Sequence, residues 1–159
     1  MNKPIEFAWR VHAALESWTT RADVKASILL AVEGGAALFV VGAPGGHRAW
    51  PVAVILMLLL AAMATTAAVV LPILGPRRVH RAESARHSVY FGHLRHWQPR
   101  ELTGHLSTLT PDDELAMMST QLVRMSRLNW RKHRLLQASV ALLTAAVGAL
   151  GLLTLAGLQ

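Results

Sequence analysis

One carboxylate stands inside a run of apolar residues. Glu33 is the only charged residue between Ala26 and Ala43, in the segment ASILLAVEGGAALFVVGA. An ionisable side chain at such depth is a functional candidate by default, because an unpaired carboxylate there costs several kcal/mol or takes a proton. Its chemistry allows two roles. It can line a pore in an oligomer, or it can hydrogen-bond a neighbouring helix in its neutral form, with Thr65 and Thr66 as candidate partners. The bland alternative is a first helix that starts late or tilts, leaving Glu33 near the outer surface.

Asp23 and Lys25 stand at the entrance of the same run. Residues two apart on a helix point in different directions, so they do not pair with each other. Arg131 and Lys132 precede the last apolar run at the same depth, and Asp23 is expected to pair with Lys132 or with Arg131. The alternative is a set of solvated side chains at the headgroups. Arg77, Arg78, Arg81 and Arg86 form a basic cluster. Such a cluster orients the chain and contacts anionic lipid, while its guanidinium forks, with His93 nearby, also suit a nucleotide phosphate. Five histidines, His80, His87, His93, His96 and His105, share this part of the chain. His93 and His96 are three apart, but catalytic zinc needs three ligands and an open position. There is no Cys and no HExxH, so no metal is expected. No Ser-His-Asp pattern, P-loop or GxGxxG is present, and no enzyme is expected.

The elements that position these residues are apolar helices. Of 159 residues 53% are hydrophobic and only 16% are charged, yet the net charge is +7. Apolar and basic together, with the Lys and Arg clustered between apolar runs, indicate a membrane protein with cationic flanks more than a nucleic-acid binder. Spans are expected at about 26–43, 49–74 and 135–158, the second ended by Pro72 and Gly75-Pro76. Eighteen residues rise roughly 27 Å as a helix, just enough to cross the hydrocarbon core. Lys3, Arg10, Arg21 and Lys25 precede the first span, eleven Lys and Arg lie between Pro76 and Arg134, and the loop from Pro44 to Trp50 holds only Arg48. The two rich segments belong on one side. That places the N-terminus in the cytoplasm and the C-terminus outside.

Residues 76–134 are expected to form a cytoplasmic helical layer: a basic helix, an aromatic turn at VYFGH, then the helix of LTPDDELAMMSTQLVRMSRLNWRKHR. Thr110 can cap this last helix, Pro111 suits its first position and Asp113 completes a capping box. Leu115, Met118, Leu122, Met125 and Leu128 make an apolar stripe, and nothing breaks the pattern before the third span. A second stripe, Phe7, Val11, Leu15 and Trp18, is expected to pack against it. The expected fold class is thus all-α, with three transmembrane helices and a third span continuous with a long amphipathic helix. Ser27, Ala31 and Gly35, and likewise Ala141, Ala145 and Ala149, form small-residue ridges of the kind that let helices approach closely in lipid. Three spans cannot enclose a conduit alone, so a pore requires a homo-oligomer.

Three motifs in order, ADVKASILLAVEGG, VYFGHL and LTPDDEL…QLVRMSRLNWRKHRLLQASVALL, resemble those of the Pycsar effector transmembrane family, from about residue 20 to the end. The resemblance implies a membrane effector of bacterial antiphage defence, activated by a cyclic pyrimidine nucleotide from a cognate cyclase and damaging the inner membrane. No Gly-rich strands or Arg-bearing phosphate cassette of an appended nucleotide-binding β-barrel are visible. Sensing would then fall to residues 76–134 or to a partner. The other reading is a non-lytic anchor or scaffold that docks a cytoplasmic partner through residues 76–134.

Overall fold

The computed structural model describes residues 3–42, 49–71, 94 and 97–157. It contains α1 (Lys3–Gly42), α2 (Ala49–Val70), α3 (Pro99–Thr108) and α4 (Pro111–Gly157), and no strand among the described residues. Three of these helices, α1, α2 and α4, are long and apolar enough to cross a membrane. The chain divides into two compact units, one of residues 1–18 and 73–129, the other of residues 19–72 and 130–159.

In the second unit the buried positions follow a repeat of alternating threes and fours. On α1 they are Ala22, Ala26, Glu33 and Val40; on α2 Ile55, Leu59, Ala62, Thr66 and Val69; on α4 Ser139 and Ala146. A mean spacing of 3.5 residues keeps one seam facing its neighbours when helices wrap left-handedly around each other. Val40, Ile55, Leu59 and Ala146 form the apolar core of this seam, flanked by half-buried Ala36, Leu143 and Leu150. α2 has no ionisable residue and stops at Val70, with Leu71 N–H still donating to the Ala67 carbonyl at 2.9 Å. That is earlier than the expected end at Leu74, which lies outside the described residues.

The first unit shows the same spacing, with Leu15 and Met118 of the expected stripes buried and the ends of those stripes off the seam. Ile5, Ala8 and Leu15 are buried on α1, and Met117, Met118 and Asn129 on α4. Phe7 and Trp18, assigned to the apolar stripe from sequence, are 63% and 54% exposed. The seam runs through Ile5, Ala8, His12 and Leu15, so the expected stripe starts one residue before it at Phe7, meets it at Leu15 and leaves it at Trp18. The α4 stripe likewise ends on Asn129, not on Leu128. The Asn129 side-chain amide donates to the Leu15 carbonyl at 3.0 Å, and Trp9 Nε1–H donates to Glu114 Oε1 at 3.0 Å. α3 has no counterpart among the sequence expectations. Pro99 opens it and Gln98 N–H reaches Glu101 Oε2 at 3.5 Å.

α4 begins with the reciprocal bonds its sequence specifies. Asp113 N–H donates to Thr110 Oγ1 at 3.2 Å, and Thr110 N–H donates to Asp113 Oδ2 at 3.2 Å. The Thr110 hydroxyl also donates to Asp113 Oδ2, at 2.6 Å. These bonds, the hydroxyl's above all, hold the Asp113 carboxyl below the usual carboxylate range. A depressed carboxyl stabilises the fold above its unfolded-state value, and that contribution is lost as pH falls through its folded-state value. The first turn of α4 should therefore fray only at acid pH, below the usual carboxylate range. Thr110→Ala should fray it at neutral pH too. Amide and side-chain NMR of Asp112 to Glu114 checks both, and an unchanged first turn in Thr110→Ala would remove the cap.

Candidate functional site

The seam residues Glu33, Thr66 and Ser139 come one from each of α1, α2 and α4, and all three are fully buried. The Thr66 hydroxyl lies 3.0 Å from Glu33 Oε1 and 2.6 Å from the Ser139 hydroxyl, and Ser139 Oγ also bonds Glu33 Oε1. The three oxygens thus close a triangle. Glu33 Oε2 is buried with no hydrogen-bond partner among the described residues. Helix geometry explains how the three meet. Each lies on its helix's buried repeat, which brings one residue from every helix to the same level.

The other hydroxyls of these helices behave differently. Thr65 donates to Ala62 O at 2.7 Å, Thr144 to Val140 O at 2.8 Å, Thr154 to Gly151 O at 2.8 Å and Ser27 to Asp23 O at 3.0 Å. A Ser or Thr in a helix ordinarily returns its proton to its own backbone three or four residues back. Thr66 and Ser139 turn to Glu33 instead. Of the two partners expected from sequence, then, Thr66 meets the carboxyl and Thr65 does not. Ser139 was not foreseen. It is one of several isolated polar residues in its run, and only the 3.5-residue phase from Lys132 singles it out.

Closer to the start of these segments, Lys132 Nζ bonds Asp23 Oδ1. The Lys132 side chain is 12% exposed and that of Asp23 39%. Lys132 stands one heptad before Ser139 on the α4 seam. Arg131 is turned about 100° away by the helical step, and it is exposed, as is Lys25. In the first unit, His105 stacks on Trp97 with ring centroids 4.9 Å apart, its Nε2 buried and without a partner among the described residues. An open groove of about 430 Å³ there is lined by Val11, Leu15, Leu122, Val123, Ser126 and Arg127. Arg77, Arg78, Arg81, Arg86, His80, His87, His93 and His96 lie outside the described residues, as does the VYFGH turn.

The small-residue ridges separate. Ser27, Ala31 and Gly35 all face outward, and an added Cβ at Gly35 would meet nothing within 4 Å. Ala141 and Ala145 are also exposed, but Ala149 is half-buried and packs on the seam core.

Comparison with known proteins gives one match. The family model described as Pycsar effector protein domain covers residues 7–158. No curated protein and no solved structure matches the chain.

The Asp23–Lys132 contact is testable by charge exchange. Asp23→Lys or Lys132→Asp alone should lower the yield of folded protein, and the double exchange should recover it. The partial exposure of Asp23 limits the coupling to about 1 kcal/mol. A double variant that folds worse than either single would disprove the pairing.

Proposed function

The chain belongs to the Pycsar effector protein family, and from that premise we propose that this antiphage effector is a multi-pass protein of the bacterial inner membrane that oligomerises and permeabilises that membrane on a cyclic-nucleotide signal. The outcome is abortive infection. A cyclic pyrimidine nucleotide from a cognate cyclase is the proposed trigger, read through residues 76–134 or through a partner. The N-terminus is cytoplasmic and the C-terminus external, in keeping with the distribution of Lys and Arg. The reading assigns no catalytic step.

The observation that carries this reading is Glu33, fully buried in a seam between three span-length helices and left with one unpartnered oxygen. A carboxyl group is a poor choice for packing in such a place, since an apolar side chain of similar volume fills it without desolvation. In a resting bundle the group is closed off by Thr66 and Ser139. When helices separate or rotate, an oligomer presents a ring of these acids to water, and rings of carboxylates favour cations. The outward ridge of Ser27, Ala31 and Gly35 supplies a surface for subunit contact.

Glu33→Gln keeps the shape and most of the hydrogen bonding but cannot ionise. It should insert and assemble normally while losing cation flux from liposomes and toxicity in cells. Equal flux with equal cation preference in wild type and variant would remove the pore role. Gly35→Leu tests assembly separately. With open space at that Cβ, the variant should fold as a monomer yet form smaller species in detergent and leak less. An unchanged oligomer would move the subunit contact elsewhere.

A further inference from the structure

We propose that the Glu33–Thr66–Ser139 triangle is a proton-binding site, its carboxyl held in the neutral form by the two hydroxyls. Three oxygen pairs lie within hydrogen-bonding distance: Thr66 with Ser139, Thr66 with Glu33 Oε1, and Ser139 with Glu33 Oε1. Each contact needs one proton between its oxygens. Each hydroxyl carries one proton and an ionised carboxylate carries none, so two protons face three contacts. If both hydroxyls donate to Oε1, the 2.6 Å contact between Thr66 and Ser139 is left as two lone pairs facing each other. A third proton on Oε1 completes the ring. The carboxyl then donates to one hydroxyl, that hydroxyl donates to the other, and the second donates back to Oε1.

Among the described residues neither hydroxyl has a backbone acceptor to divert its proton, unlike Thr65, Thr144 and Thr154. The unpartnered Oε2 points the same way. As a carbonyl oxygen it costs a modest desolvation; as half of a carboxylate it leaves charge bare in an apolar seam, which costs far more.

Among the described residues no cation stands ready to compensate an anion. On α1 the only other ionisable groups of the second unit are Arg21, Asp23 and Lys25, at least eight residues before Glu33. α2 has none from Ala49 to Val70. On α4, Arg131, Lys132, His133 and Arg134 all precede Ser139, and none follows as far as Gly157. Lys132 is the one on the seam. It is already bonded to Asp23, and its seven residues from Ser139 amount to about 10 Å of axial rise.

The proposal rests on reading these helices as spans, but it does not require that the protein leak. The test is infrared spectroscopy of the full chain in lipid at pH 7. The C=O stretch of a neutral carboxyl should be present in wild type and lost in Glu33→Gln. Thr66→Val and Ser139→Ala, which each open the ring, should shift it. Absence of any neutral-carboxyl band from the wild-type protein at pH 7 overturns the site, whether or not the variants fold. So does a band that persists unchanged in folded Glu33→Gln. Because the readout is spectroscopic, a wild-type protein with the band and no ion flux would sink the permeabilising role alone.

Discussion

Taking a carboxyl group out of water and into a seam of alanines, valines and leucines is expensive unless every lone pair and proton finds a neighbour. That constraint organises the second unit. Glu33 can be buried because α2 and α4 each bring a hydroxyl to the same level, and they can do so only while all three helices keep their buried faces in step. Val40, Ile55, Leu59 and Ala146 supply the apolar contact that holds the faces together. The polar triangle adds something apolar packing lacks. Leucines and valines tolerate sliding past one another, whereas a carboxyl displaced by one residue loses both hydroxyls and is stranded. Buried polar groups that set alignment at some expense of stability are well attested in coiled helices.

How much of this was legible in the sequence differs from residue to residue. Span-length runs and their order were plain because composition alone carries them. The Thr110–Asp113 cap was legible because capping is local chemistry within four residues. The Asp23–Lys132 contact followed from two charges at the mouths of two apolar runs. Ser139 was not legible, since serine in an apolar helix usually bonds its own backbone and gives no sign of a distant partner. Phe7, Trp18 and Leu128 misled for a different reason. Large apolar residues look like core, but Trp18 and Leu128 each stand three residues beyond Leu15 and Met125, where the seam steps by four or more. A single residue's offset at the ends of the stripes leaves Phe7 and Trp18 in the open and puts Asn129 where Leu128 was expected.

The two units use buried polarity in contrasting ways. In the first, Asn129 spends one amide hydrogen on a backbone carbonyl of α1, and Trp9 ties its indole to Glu114. Both donors are neutral, and their acceptors are a backbone carbonyl for Asn129 and a side-chain carboxyl for Trp9. In the second, the bonds converge on a carboxyl that is fully buried.

Hydroxyls folded back onto their own helix also change how the outer surface should be counted. Thr65, Thr144, Thr154 and Ser27 carry oxygen, yet each has committed its proton to a carbonyl of the same helix. What such a residue shows to surrounding lipid is largely its methyl or methylene carbon. A hydropathy scale that charges every threonine the full cost of dehydrating a free hydroxyl therefore overstates the resistance of these segments to insertion. Four nominally polar residues can ride on the lipid-facing side at little more expense than small aliphatic ones.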